Sequence, residues 1–169
     1  LNTEIDEQIE EDIQTADACT KLGVTIHAFG DGATWDKEGI SGWGIQLQRW
    51  GGDEIIEDHG RTPGIQQNDA SETFAVLQSL LNTHTTDDVE LYCDNQGCVN
   101  IWDRMTAQHD AGSRPGTAHR GNYAAMWSRI DRLRRDRTRK GSSTSMNWIQ
   151  SHVQDEAKRV STSSNIECA

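Results

Sequence analysis

The order in which two apolar periodicities follow each other along this chain constrains its fold more than any single motif. Period two comes first, three times over. "GVTIHAFGD" sets Val24, Ile26 and Ala28 against Thr25, His27 and Phe29; "GWGIQLQRW" follows, and a Gly-Gly pair leads to "DEIIEDHG". Successive side chains of a strand point to opposite faces, so each run reads as a half-buried strand. The glycine-marked join makes Gly42 to His59 an antiparallel hairpin continuing from the first strand.

Helical spacing then takes over. In "NDASETFAVLQSLLNTH", Ala70, Phe74, Leu77 and Leu81 share one face. "DDVELYCD" reads as a fourth strand and "NQGCVNIWDRM" as a short helix. Residues 106–122, rich in Gly, Pro and small polar groups, read as an exposed loop. Tyr123, Met126, Trp127, Ile130 and Leu133 restore helical spacing, with "STSMNWIQ" as a fifth strand. Strands one, four and five, joined through helices, are expected as parallel neighbours, since parallel pairs need crossover connections. The predicted fold class is α/β, a five-stranded mixed sheet with three antiparallel strands first, then parallel ones, flanked by helices.

A chain of 169 residues is one ordinary domain. It shows neither an apolar run of about 18 residues nor a basic-then-apolar leader, which predicts a soluble, intracellular protein, cytoplasmic or nuclear. Its first residue is Leu1, and the expectation is a piece of a longer polypeptide. Cys19, Cys93, Cys98 and Cys168 have no paired C-x-x-C spacing, so they signal neither a zinc cage nor a disulfide framework and are expected as reduced thiols.

The net charge of −11 argues against a nucleic-acid partner only until it is located. Residues 1–20 hold seven acids and no base, so the rest of the chain carries only −4. Residues 1–21 are read as an acidic linker or lead-in, although Leu1, Ile5, Ile9 and Ile13 form a narrow stripe that a docked helix could use. Residues 22–169 are the expected domain. Within it, "SRIDRLRRDRTRKG" is the one strongly basic block, and Arg132, Arg135 and Arg139 lie at i, i+3 and i+7 as a candidate phosphate-binding stripe. Trp102 is read as core in preference to a stacking platform.

Two acids end predicted parallel strands. Asp31 falls past the first and Asp94 past the fourth, at the carboxyl edge where open α/β sheets bind ligands. A third, Glu72, stands in the first turn of the intervening helix, just before Ala75 and Val76. A carboxylate on the packed side of a helix needs a partner, because burying an unpaired charge costs several kcal/mol. Oxygen donors without Cys or His suit Mg2+ or Mn2+, and two such ions about 4 Å apart would support phosphodiester hydrolysis. The plainer alternatives are a turn role for Asp31 in "GDG", a capping box for Glu72 in Asp69-Ala70-Ser71-Glu72, and a helix cap for Asp94.

On these residues the chain resembles the ribonuclease H family. "AFGDGATW" is similar to its first-strand Asp-Gly motif, "NDASETFAVLQSL" to its helix with a metal-binding Glu, "LYCDNQGCVN" to its strand-four Asp motif, and "NWIQSH" to the strand leading to its mobile-loop His. The resemblance covers Gly23 to His152, in the family's order. It implies a ribonuclease H-like fold and cleavage of the RNA strand of RNA:DNA hybrids, with the 2'-hydroxyl marking RNA. It further implies two Mg2+ or Mn2+ ions held by Asp31, Glu72 and Asp94, and His152 assisting proton transfer or product release. Asn68 and Gln96 match positions that contact the hybrid.

Family habit suggests an adjoining reverse transcriptase in a retroelement. The family also has a last helix opened by a fourth carboxylate, for which "SNIECA" supplies the beginning and Ala169 stands where one alignment puts the Asp, so a C-terminally truncated domain is expected. Asp69 stands where many members carry an uncharged residue. The missing acid motivates an alternative reading, a scaffold or nucleic-acid-binding module with an incomplete metal site. A transposase or integrase of the same superfamily ranks lower, because Glu72 precedes Asp94.

Overall fold

The computed structural model describes residues 2–35, 39–49, 55–64, 66–112 and 123–150. Nine elements follow each other: α1 (Asn2–Asp17), β1 (Ile26–Trp35), β2 (Ile40–Arg49), β3 (Ile55–Arg61), α2 (Asn68–Leu81), β4 (Val89–Cys93), α3 (Gln96–Asp110), α4 (Ala124–Arg139) and β5 (Thr144–Trp148). The five strands make one mixed sheet in the order β3-β2-β1-β4-β5. β1 pairs antiparallel with β2 and β2 with β3, while β1, β4 and β5 run parallel, as the hairpin and the helical connections predicted.

The period-two pattern explains which face is packed. Ile26 and Ala28 of β1, Ile45 and Leu47 of β2, and Val89 and Leu91 of β4 are all buried and join one core cluster. Their register partners agree, with Ala28 opposite both Leu47 and Leu91. α2 lies over this face along β1 and β2. It can approach so closely because its packed side is built of small residues, Ala70, Ser71, Thr73, Ala75 and Ser79, all buried. A Cβ at Gly32 would stand 2.6 Å from Ser71 Cβ and 2.7 Å from the Glu72 backbone nitrogen, so only glycine fits there.

α4 buries Trp127, Ile130 and Leu133 against α2, and α3 contributes Trp102 and Met105 to the same core. Trp102 is 3% exposed, which settles it as a packing residue.

Three boundaries differ from the sequence reading. β1 runs on to Trp35, because beyond Phe29, where its pairing with β4 ends, it continues against β2. α3 extends to Asp110, so residues 106–110 are helix, held by ordinary i to i−4 bonding and a half-buried Thr106 hydroxyl that donates to the Trp102 carbonyl at 3.1 Å. Residues 2–17 are a packed helix rather than solvated chain: Ile9 and Ala16 are buried, and Arg129 of α4 clasps Asp12 through Nε at 2.7 Å and Nη2 at 2.8 Å. Of the apolar stripe, Ile9 and Ile13 pack inward together with Ala16, whereas Ile5 is exposed, so the Asp12–Arg129 pair shares in the docking.

Candidate active site

Three acids that the sequence scatters over 64 positions meet where β1, α2 and β4 come together. Asp94 directly follows β4. Asp31 sits inside β1, not past it, opposite Gly44 of β2, but two residues beyond the last β1–β4 pair, so it still marks the carboxyl edge of the parallel part. Glu72 is the fifth residue of α2, just past the first turn in which it was expected, and faces the sheet over Gly32.

Glu72 is the unusual member. It is only 3% exposed, and among the described residues its Oε2 has no hydrogen-bond partner. Burial pushes its pKa up to about 10, and the nearby Asp94, Cys93 and Asp31 add to the rise, with a hydrogen bond from the Gly32 backbone opposing it. The capping-box alternative does not describe it, because α2 opens at Gln67, which makes no side-chain cap, and Glu72 lies too far inside. Nor is Asp94 the cap of α3. That duty falls to Asn95, whose Oδ1 accepts from the Cys98 amide at 3.0 Å. Asp31 is exposed, and its Oδ1 accepts from the Gly32 amide at 2.9 Å.

The tightest grouping is not the one the sequence suggested. Ligand atoms of Glu72, Cys93 and Asp94 all lie within 4.8 Å of one another, whereas Asp31 acts on Glu72 electrostatically from outside that group. Cys93 was missed because a lone thiol without C-x-x-C spacing carries no metal signal; the available clue was its place beside Asp94 on the packed face of a parallel strand. A hydrogen bond with Cys98 and burial both hold its thiol above the ordinary range.

The donor set fits a divalent cation. A buried carboxylate oxygen without a partner beside a second carboxylate is costly unless a proton or a cation neutralises it, and Glu72, Asp94 and Asp31 present hard oxygens of the kind Mg2+ and Mn2+ take once the proton leaves.

The rim of the site is organised by one hydrogen bond. Asn95 Nδ2 donates to Asp69 Oδ1 at 2.8 Å and ties the start of α3 to the start of α2. Asn68 and Gln96, the neighbours of this pair, are therefore exposed at adjoining helix openings, with Gln96 Nε2 donating to Asn100 Oδ1 at 2.9 Å. Beside Asp31, the β1–β3 side carries an open groove lined by Trp43, His59 and Arg61.

The basic block divides. Arg132 and Arg139 are exposed, but Arg135 Nε pairs with Asp131 at 3.1 Å and Arg139 Nη2 with Asp136 at 2.6 Å. Arg134 and Arg137 are buried, a structural use that charge counting does not reveal. His152 lies outside the described residues.

A sheet of order β3-β2-β1-β4-β5, antiparallel then parallel, with acids at the carboxyl edge of its parallel strands, has the ribonuclease H fold. Solved ribonuclease H1 structures share this fold. That of the halophilic archaeon Halobacterium salinarum is 22% identical, with 78% of this chain and 89% of that one covered and a TM-score of 0.54. A ribonuclease H1 solved in complex with an RNA/DNA hybrid is 15% identical over 76% of this chain and 88% of that one, at a TM-score of 0.55. The N-terminal ribonuclease H domain of a Mycobacterium tuberculosis protein, solved as a fusion with maltose-binding protein, is 12% identical over 86% and 98%, at a TM-score of 0.57. At such identities the likeness establishes the fold. No family model matches the sequence, and no curated protein matches it.

Proposed function

We propose that this chain is an endoribonuclease that hydrolyses the RNA strand of RNA:DNA hybrids with two Mg2+ or Mn2+ ions. The observation that carries the reading is the buried, unpartnered Oε2 of Glu72 beside Asp94 on a ribonuclease H fold. When bound, the ions supply a nucleophilic water at neutral pH and stabilise the leaving oxygen of the phosphodiester.

The protein's part is positional. Glu72, Asp94 and Asp31 would hold the ions, Asp31 by turning from the Gly32 amide. Asn68 and Gln96 at the joined helix openings would contact the hybrid, and Arg132, with Arg135 and Arg139, its phosphates. His152 would move a proton or help product leave. Attachment to a reverse transcriptase in a larger retroelement polypeptide is proposed on family habit alone.

The test is cleavage of end-labelled RNA:DNA hybrid, RNA duplex and DNA duplex in rising Mn2+. Cutting confined to the RNA of the hybrid, and abolished by chelator and by Asp31→Asn, supports the enzyme. Binding of hybrid without cutting at any Mn2+ concentration would instead support the scaffold reading, which the position of Asp31 outside the tight group favours.

A further inference from the structure

Among the described residues, Cys93 is the cysteine that brings sulfur into the ligand group of the candidate site. It is 2% exposed, stands on the face of β4 that meets α2, and lines a narrow gap with Glu72, Gly30 and Val76. Its Sγ belongs to the group of three ligand atoms within 4.8 Å, and the neighbouring Glu72 has a buried oxygen with no partner. We propose that Glu72, Cys93 and Asp94 together bind a thiophilic divalent cation, Zn2+ or Cd2+, with Cys93 as the ligand that selects it over Mg2+.

The chemistry follows from ligand softness. Mg2+ takes oxygen in near-octahedral geometry and gains nothing from sulfur, whereas Zn2+ accepts sulfur and carboxylate oxygen in a tetrahedron. Ligand atoms in such a tetrahedron stand about 3.3–3.6 Å apart, so the group would contract by at most about 1.5 Å on binding. Three protein ligands leave the fourth position to water, on the side where Asp94 is partly exposed. On binding, the S–H bond breaks, a metal–sulfur bond forms and the proton passes to solvent, since a coordinating thiol is deprotonated outright. No oxidant or reductant is involved. Zn2+ stands far above Mg2+ in affinity for such a site, so it would displace the proposed catalytic ions; that consequence rests on the Mg2+ reading above, but the binding itself does not.

The experiment is a titration of the full chain with CdCl2, read by the ultraviolet thiolate-to-metal charge-transfer band. The expected result is a saturating band at one Cd2+ per chain, displaced by ZnCl2, lost in Cys93→Ser and retained in Cys98→Ala. Glu72→Gln keeps the thiol and should weaken Cd2+ binding at least about tenfold, which preserves a test if Cys93→Ser fails to fold. A chain without the band, or with a band that follows Cys98 or Cys19, overturns the proposal. Hybrid cleavage in Mg2+, run on the same wild-type sample, separates the two readings. A Cys93-dependent band without cleavage keeps the cation site and sinks the nuclease; cleavage without the band does the reverse.

Discussion

Gly32 of β1 and Ser71 of α2 approach so closely that a methyl group on Gly32 would lie 2.6 Å from Ser71 Cβ. That contact sets the depth at which α2 rests on the sheet, and with it the position of Glu72 relative to Asp31 and Asp94. Gly32→Ala is therefore expected to push the helix outward, costing about 1–3 kcal/mol as over-packed cores do, and to weaken metal-dependent cleavage. At Gly30 the nearest atom is Ala75 Cβ at 3.1 Å, so Gly30→Ala should cost less. Urea denaturation of the two variants ranks them.

Glu72 gives a pH prediction with a definite sign. Its folded pKa, about 10, lies above the value of an unfolded Glu, so the fold prefers the protonated carboxyl. The stability this contributes is complete below pH 4.5 and is lost as pH rises from there towards 10. Glu72→Gln removes the loss. The metal-free variant should exceed wild type at pH 7–8 by on the order of 1–3 kcal/mol, with a flatter stability profile across that window. Thermal melts in chelator at several pH values check this, and divalent cation should raise the wild-type Tm more than that of Glu72→Gln.

Arg137 is fully buried and donates to the carbonyls of Thr83 at 3.2 Å, His84 at 2.8 Å and Asp87 at 2.9 Å. Arg137→Ala strands all three acceptors and is expected to cost about 3–5 kcal/mol, measured by chemical denaturation.

Arg132, exposed on the same helix, should behave in the opposite way. Arg132→Ala is expected to leave stability within about 0.5 kcal/mol while weakening hybrid binding and reducing its salt slope by about one. Fluorescence anisotropy at several salt concentrations reads the slope; an unchanged slope removes Arg132 from the interface.

Legibility in the sequence followed burial. The strands could be read because Ile26, Ala28, Leu47 and Leu91 recur at period two on the covered face, although Phe29 on the other face of β1 is buried as well. α2 was legible as a helix, but the width of its packed side was not, because the polar Ser71, Thr73 and Ser79 are buried along with Ala70 and Leu77. Asp31, Glu72 and Asp94 could be named from order and motif. Cys93 could not, because its role depends on which face of β4 meets α2. Nor could the buried use of Arg134 and Arg137 be read, since an arginine run has the same composition whether its guanidinium groups face water or carbonyls. The docking of α1 needed the Asp12–Arg129 pair, which joins residues 117 positions apart.

The most direct measurement is the rate at which wild type and Glu72→Gln cut the RNA strand of a labelled hybrid in saturating Mn2+, with folding of both confirmed by circular dichroism. The account predicts cutting by wild type and a loss of at least about a thousandfold, on the order of 4 kcal/mol of barrier, in the variant. A folded Glu72→Gln protein that cuts the hybrid as fast as wild type would contradict it.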